Sequence, residues 1–386
     1  MTSRRPSVAC TPALPAPDQP LALLGGLSPA TFMRRHWQKK PLLIRQALPG
    51  FQPLLSRAEL FGLAADEAVE SRAIVRQADG AWQLRHGPFE RRALPAFKQA
   101  AWTLLVQGVD LHHDAVHRLL QGFRFLPDAR LDDVMISWAS EGGGVGPHFD
   151  SYDVFLLQAS GRRRWRIGRQ RDLSLQPEVP LKILQHFEPE QEWVLEPGDM
   201  LYLPPRWAHD GVAEGGECMT YSVGFRVPQR GGLVGEMAQR LADDHEDETL
   251  YRDPQQAATQ TPAAMPAALF DFARDGLQRL LADERALARA LGEVMTEPKP
   301  RVWFDEPVRA WLPGAVRLDR RTRMMFDDHH IFINGEAYRA AGADARVLRQ
   351  LANERQLDAR TVQRASPVVH DWLAQAHDSG WLHRVD

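Results

Sequence analysis

The triplet His148-Phe149-Asp150, followed by His209 at 59 positions beyond the aspartate, constrains this chain more than any other feature. Two imidazoles and one carboxylate can hold Fe(II) on one face and leave the opposite coordination positions open. The spacing has a geometric reason. Side chains i and i+2 of a strand point the same way, so His148 and Asp150 project together while Phe149 turns aside. The third donor must come from a distant strand. His209 lies beyond a turn at Glu196-Pro197-Gly198-Asp199 and a short apolar run, within Tyr202-Leu203-Pro204-Pro205-Arg206-Trp207-Ala208-His209-Asp210-Gly211. Donors delivered in this way imply a small β-barrel closed around a metal.

The flanking residues agree. Before the triplet, Glu141-Gly142-Gly143-Gly144-Val145-Gly146-Pro147 permits backbone conformations and close approaches that other residues resist. After it, Val154-Phe155-Leu156-Leu157 is a continuous apolar run of the kind a buried strand shows. In Gly161-Arg162-Arg163-Arg164-Trp165-Arg166-Ile167 the alternation places Arg163 with Trp165 and Ile167, and leaves Arg162, Arg164 and Arg166 on the solvated side. If Trp165 and Ile167 face the barrel interior, so does Arg163. A buried arginine needs an anion, and the guanidinium fork matches a carboxylate in two parallel hydrogen bonds. The distal carboxylate of 2-oxoglutarate fits that requirement at an Fe(II) oxygenase site.

These stretches, with Met135-Ile136-Ser137, Tyr152-Asp153-Val154-Phe155 and Tyr221-Ser222-Val223-Gly224-Phe225-Arg226, resemble the bacterial ribosomal oxygenases. These are JmjC-type Fe(II)/2-oxoglutarate enzymes that hydroxylate an arginine of a large-subunit ribosomal protein. The resemblance implies an α+β fold: a double-stranded β-helix (cupin/JmjC) barrel with N-terminal helices, a helical dimerisation segment and a C-terminal winged-helix-like domain. It implies His148, Asp150 and His209 as iron ligands, Arg163 as the 2-oxoglutarate anchor and Ser137 as a residue of the substrate or cosubstrate pocket. It further implies a homodimer that acts on protein sixteen of the large subunit and yields hydroxyarginine, succinate and carbon dioxide. An arginine substrate asks for a carboxylate and a flat aromatic surface. Glu141 and Tyr152 are the candidates, with Asp153 behind them. Other readings of the same residues are a histidine-directed ribosomal oxygenase, another JmjC protein hydroxylase or demethylase, and a non-enzymatic cupin-type binding protein. The last has no use for an inward-facing Arg163.

The expected organisation is a disordered tail over 1–19, a catalytic domain over 20–231, a helical dimerisation segment over 232–298 and a winged-helix-like domain over 299–386. A helix is expected to start near Ser28-Pro29, another at the capping box Ser56-Arg57-Ala58-Glu59, and a third over Asp114 to Leu120. Phe270, Ala273, Leu277, Leu280, Leu281, Leu287, Leu291 and Val294 recur at helical spacing. Ala315 to Leu318, Met324 to Phe326 and His330 to Ile333 read as short strands, with a hairpin turn at Asn334-Gly335 and helices near Ala343 to Ala352 and Pro367 to Ala376. Val368, Val369, Trp372 and Leu373 look like core on the candidate second helix, which shows no Lys/Arg stripe. Direct nucleic-acid binding is therefore not expected, and 47 basic against 50 acidic side chains give no polyelectrolyte signal. The pair His113 and His117, and likewise His186, His329 and His330, read as solvated side chains. Two cysteines, Cys10 and Cys218, cannot build a disulfide framework, and no run approaches the ~20 apolar residues of a membrane helix. Both observations fit a cytoplasmic protein.

Overall fold

The computed structural model describes residues 14–244, 247–307 and 310–385. Most of the stretch expected to be a disordered tail, including Cys10, lies outside the described residues. The chain forms two units, one running to Val227 and including Arg301–Trp303, the other comprising Pro228–Pro300 and the remainder from Phe304. Among the described residues no helix is long and apolar enough to cross a membrane.

The first unit is built on nine strands: β1 (Leu42–Ile44), β2 (Ser71–Arg76), β3 (Trp82–His86), β4 (Trp102–Val106), β5 (Leu131–Ala139), β6 (Val154–Gly168), β7 (Gln191–Leu195), β8 (Met200–Leu203) and β9 (Ala208–Phe225). They pair in the order β1-β8-β6-β9-β5-β4-β2-β3, with β7 also on β6. Every pairing is antiparallel. The long partners β6 and β9 make the closure. The first half of β6 lies between β8 and β9, its second half between β7 and β9, and the register shifts between Gln158 and Arg162. Gly161 supplies that bend. Its φ is +63°, and a Cβ there would strike the Glu217 carbonyl, so only glycine fits.

Alternation divides the side chains of these strands between two layers. Ile136, Trp138, Phe155, Leu157, Tyr221 and Val223 belong to the main core. Their neighbours Val154, Leu156, Trp165 and Ile167 form a second apolar cluster in the barrel interior with Leu201, Leu203 and Trp207. Three helices buttress the main core: α1 (Pro29–Arg35), α2 (Arg57–Leu63) and α3 (Asp114–Gln121). The first two begin where the caps predict. Ser28 accepts from the Thr31 N–H, and Ser56 and Glu59 form a reciprocal capping box.

The second unit opens with α4 (Arg230–Asp243), α5 (Ala267–Ala282) and α6 (Glu284–Thr296). The apolar stripe running to Val294 is thus split between two helices. Asp283 ends α5 with extended backbone and caps α6, its carboxylate accepting from the N–H groups of Arg285 and Ala286. Six short strands follow, β10 (Val316–Leu318), β11 (Met324–Phe326), β12 (His330–Ile333), β13 (Glu336–Arg339), β14 (Gln356–Leu357) and β15 (Leu382–Arg384), together with α7 (Gly342–Glu354), α8 (Ala359–Gln363) and α9 (Pro367–Asp378). Asn334 and Gly335 both have positive φ, the requirement of the tight turn expected between β12 and β13. The short elements α8, β14 and β15 have too few residues for a periodicity and were not expected. Two residue assignments are corrected. Val368 is 68% exposed, because it sits in the first turn of α9 facing away from the buried Val369, Trp372 and Leu373. His330 is buried and 3.1 Å from Asp327 instead of solvated.

Candidate metal centre

One nitrogen or oxygen of each of His148, Asp150 and His209 falls within 4.8 Å of the others, and among the described residues this is the one group of three such donors. The Asp150 carboxylate lies 4.0 Å from His148 Nε2 and 3.7 Å from His209 Nε2, and the two imidazole centroids are 4.3 Å apart. The route to this arrangement differs from the expected one. His148 is a single bridge residue, exchanging backbone hydrogen bonds of 3.0 and 2.8 Å with His209, while Phe149 and Asp150 lie outside any strand. The chain turns after the bridge and is held there by the Arg206 N–H, which donates to the Asp150 carbonyl at 2.8 Å. His209 is the second residue of β9, directly after the Pro204-Pro205-Arg206 turn.

Both imidazoles are oriented from behind. His148 Nδ1 is 2.9 Å from the Gly146 carbonyl and His209 Nδ1 is 3.0 Å from the Trp207 carbonyl. A carbonyl accepts only, so each Nδ1 carries the proton and each Nε2 presents its lone pair to the shared space. Burial of His209, reinforced by the neighbouring His148, holds its pKa below the ordinary imidazole value, which keeps the ring neutral as a metal ligand requires.

Arg163 lies in the interior on β6, 3% exposed, in the alternation read from the sequence. One guanidinium nitrogen donates to the Gly211 carbonyl at 2.9 Å and another approaches Cys218 Sγ at 4.0 Å, while Nε is buried with no hydrogen-bond partner. Its central carbon is 5.0 Å from the Trp165 ring centroid, and Trp165 is in turn 5.8 Å from the His209 ring. A buried guanidinium with an unanswered donor is costly unless an anion completes it. The residues therefore fit a metal at the His/Asp/His face and a carboxylate at Arg163. Gly211 makes the approach possible, because a Cβ there would lie 2.5 Å from the Trp165 ring and 2.7 Å from Arg163 Nε.

Ser137 is buried on β5 opposite Thr220 and shares the interior face of the sheet. Tyr152 is 40% exposed, yet its hydroxyl is shielded and meets Asp150. Burial of that hydroxyl, together with the charges of Asp150 and Asp133, raises its pKa above the ordinary phenol value. Glu141 is not brought to the metal face. It is exposed and accepts from the Gly216 N–H, midway along β9. Asp153 is fully buried in the main core, accepting from Tyr202 Oη at 2.6 Å and Gln38 Nε2 at 3.1 Å, so it braces the fold behind the site. Three residues linked beside Tyr152 were missed: Arg72, Gln107 and the buried Asp133. Gln107 donates to both Asp133 oxygens, at 3.1 and 2.8 Å, and accepts from Arg72 at 3.4 Å. An acid inside the strand Leu131 to Ala139 was the available signal. His113 and His117 are half-buried, and no third donor joins them among the described residues.

Comparison with known proteins places this geometry. A family model described as JmjC domain matches residues 118–233, and one described as ROXA-like winged helix matches residues 279–383. The ribosomal protein uL16 3-hydroxylase of Escherichia coli (strain K12) is 36% identical over 286 residues, covering 74% of this chain and 76% of that protein. A probable ribosomal oxygenase of Haemophilus influenzae is 35% identical over 227 residues, 58% of this chain and 55% of the relative. The X-ray structure of E. coli ycfD superposes with a TM-score of 0.82 at 32% identity, covering 92% of this chain and 98% of that one. The same ribosomal oxygenase in complex with cobalt and 2-oxoglutarate superposes with a TM-score of 0.79. Matched by both family models and 36% identical over three quarters of its length to a ribosomal protein hydroxylase, the chain belongs to the JmjC-type ribosomal oxygenases.

Proposed function

We propose that this protein is an Fe(II)- and 2-oxoglutarate-dependent hydroxylase of an arginine side chain in the large-subunit ribosomal protein uL16, working as a homodimer. The observation that carries the reading is the pairing of a three-donor face with a buried arginine whose Nε has no partner. His148, Asp150 and His209 would hold the metal, and Arg163, packed on Trp165, would bind the distal carboxylate of 2-oxoglutarate. When bound, Fe(II) and 2-oxoglutarate with dioxygen supply the oxidation of a substrate C–H bond to C–OH, with release of succinate and carbon dioxide. The protein's own part is positioning. The Gly146 and Trp207 carbonyls fix the imidazole tautomers, the apolar wall of Leu156, Ile167, Leu201 and Trp207 excludes water, and Ser137 contributes a hydroxyl to the interior. At the mouth, Tyr152 offers a flat face and Asp133 a buried carboxylate toward a cationic side chain. Asp133 thereby takes the acidic role first expected of Glu141. Restriction to the cytoplasm follows from a ribosomal substrate.

The test is mass spectrometry of ribosomal proteins from cells lacking this gene, after incubation with purified enzyme, Fe(II), 2-oxoglutarate and air, with Asp150→Ala as control. The expected result is a one-oxygen gain on an arginine peptide of uL16 that the control lacks. A gain on histidine instead would move the chain to the histidine-directed branch, and succinate production without any gain would place its substrate off the ribosome.

A further inference from the structure

The second unit carries a charge arrangement that the oxidation chemistry does not use. Two adjoining clefts, of about 550 and 650 Å³, are lined by residues of α6, β13 and the start of α7, and share Arg285, His330 and Arg339. Arg289 lines the first, and Arg346 and Arg349 line the second. Five guanidiniums thus face this surface against two lining carboxylates, Asp283 and Asp328.

Arg285 is exposed beside the Asp283 carboxylate, and the other four are held differently. Arg289 is paired with Asp244 at 2.8 Å. Arg349 donates to the carbonyls of Asp327 and Asp328 at 2.9 and 3.0 Å and lies 5.3 Å from the Phe326 ring centroid, which orients its guanidinium. Arg339 and Arg346 are exposed and make no ion pair among the described residues. Five convergent cations against two lining carboxylates leave an excess of positive charge, and a bound anion relieves the repulsion among them. The start of α7 adds to the field. Its N-cap is Ala341, which has no side-chain acceptor, and Ala341, Gly342 and Ala345 line the second cleft. The first N–H groups of the helix therefore have no side-chain cap beside the arginines, and a helix N-terminus favours negative charge, part of which Asp344 in the first turn supplies.

We propose that these clefts bind the phosphodiester backbone of RNA. Guanidiniums match phosphate oxygens in bidentate fashion, and cations spread over three elements suit a chain of phosphates better than a single one. No Phe, Tyr or Trp lines the clefts, and the guanidiniums outnumber the His329 and His330 rings, so contact is chiefly with the backbone and carries no sequence information. The choice of RNA rests on the ribosomal reading above, whereas the affinity for a phosphate polymer follows from the charges alone.

The experiment is fluorescence anisotropy of a short labelled single-stranded RNA with the full chain, repeated over a range of salt, with the same sequence as DNA and with inorganic phosphate as competitor. The full chain is used without iron or 2-oxoglutarate, so loss of hydroxylase activity has no bearing on the outcome. The expected result is saturable binding whose log K falls with log salt at a slope of about −2 to −3.5, the value for roughly three to five neutralised phosphates on a single strand. Arg339→Glu with Arg346→Glu weakens it at least ~10-fold and flattens the slope by ~1.4. Arg339→Gln with Arg346→Gln gives a smaller loss of the same kind and guards against misfolding of the charge-reversed form. Hydroxylation of an isolated substrate peptide is unchanged in both. Absence of binding at low salt, or binding indifferent to both double variants, overturns the proposal. Equal affinity for the DNA overturns the choice of RNA, and full displacement by millimolar phosphate overturns the polymer.

Discussion

At the scale of single residues, the proposed site divides into three side chains that could hold a metal and one that could answer an anion. Arg163 is the sharper test, because its burial is explained only if a carboxylate answers Nε. A hydrogen bond to a charged group contributes about 1.5–3 kcal/mol, which corresponds to ~10–100-fold in affinity. Arg163→Met is therefore expected to raise the KM for 2-oxoglutarate by ~10–100-fold, with a smaller change in kcat at saturation, and Arg163→Lys to recover part of the loss. Steady-state succinate release against 2-oxoglutarate concentration reads the split, and an unchanged KM would remove Arg163 from the anion site. Much of this was legible in the sequence. His148, Asp150 and His209 are few, chemically distinctive and spaced for convergence, and the alternation around Trp165 gave Arg163 its side of the strand. Tyr152 lies beside Asp150, as its spacing of two positions suggested, whereas Glu141 turns to the Gly216 N–H because a carboxylate's direction at the start of a glycine run is set by a turn. The chain of hydrogen bonds from Arg72 through Gln107 to Asp133 was hidden for a different reason, since β2, the end of β4 and β5 meet only in space.

At the scale of elements, the β6–β9 ladder ties the ligand strand to the anion strand. Trp165 pairs with Gly211 and Ile167 with His209, so a disturbance at Gly211 reaches both functions. Gly211→Ala places a methyl 2.5 Å from the Trp165 ring and 2.7 Å from Arg163 Nε. Forcing extra volume into a packed interior costs about 1–3 kcal/mol. The expected outcome is a lower melting temperature together with weakened 2-oxoglutarate binding, read by thermal denaturation with and without the cosubstrate; a normal KM would mean the strands yield freely there. In the second unit, the short strands β10 and β15 depend on a buried clamp. Asp319 is 4% exposed, accepts from Arg321 Nε at 2.7 Å and meets His383 Nε2 at 2.7 Å. Burial alone would raise its pKa, but the hydrogen bonds from His383 and Arg321 outweigh that and hold it well below the usual carboxylate range. Because the folded value lies below the unfolded one, this stabilisation is complete above about pH 4 and is lost as the pH falls further. Asp319→Asn is expected to cost about 3 kcal/mol at neutral pH and to leave a flatter acid unfolding curve. Equal acid sensitivity of variant and parent chains would show that other carboxylates govern it.

For the whole molecule, the stop of the strand pattern after Pro228 coincides with the division between the two units, while the helices and the later short strands fall in one unit. The cationic clefts did not follow, because Arg285, Arg339 and Arg346 are separated in the chain and no single helix carries them as a stripe. The assembly rests on a feature visible at both levels. α5 has sixteen residues and none of them is buried within its own chain. Phe270 is 58% exposed, Leu277 62% and Leu281 56%, and these are the positions whose helical spacing reads as core. An apolar stripe of this extent on a surface marks an interaction site, and in a homodimer the same face on a second copy covers it with matching chemistry. Leu277 stands near the middle of that stripe. Leu277→Glu would place a charge in the proposed interface, where burying it unpaired costs several kcal/mol, while leaving an exposed helix surface in the monomer little affected. The expected masses by light scattering at micromolar concentration are a dimer for the parent chain and a monomer for the variant, with the melting temperature of the isolated subunit held. A parent chain already monomeric at that concentration would end the dimer reading, and a variant that stays dimeric would move the interface off α5.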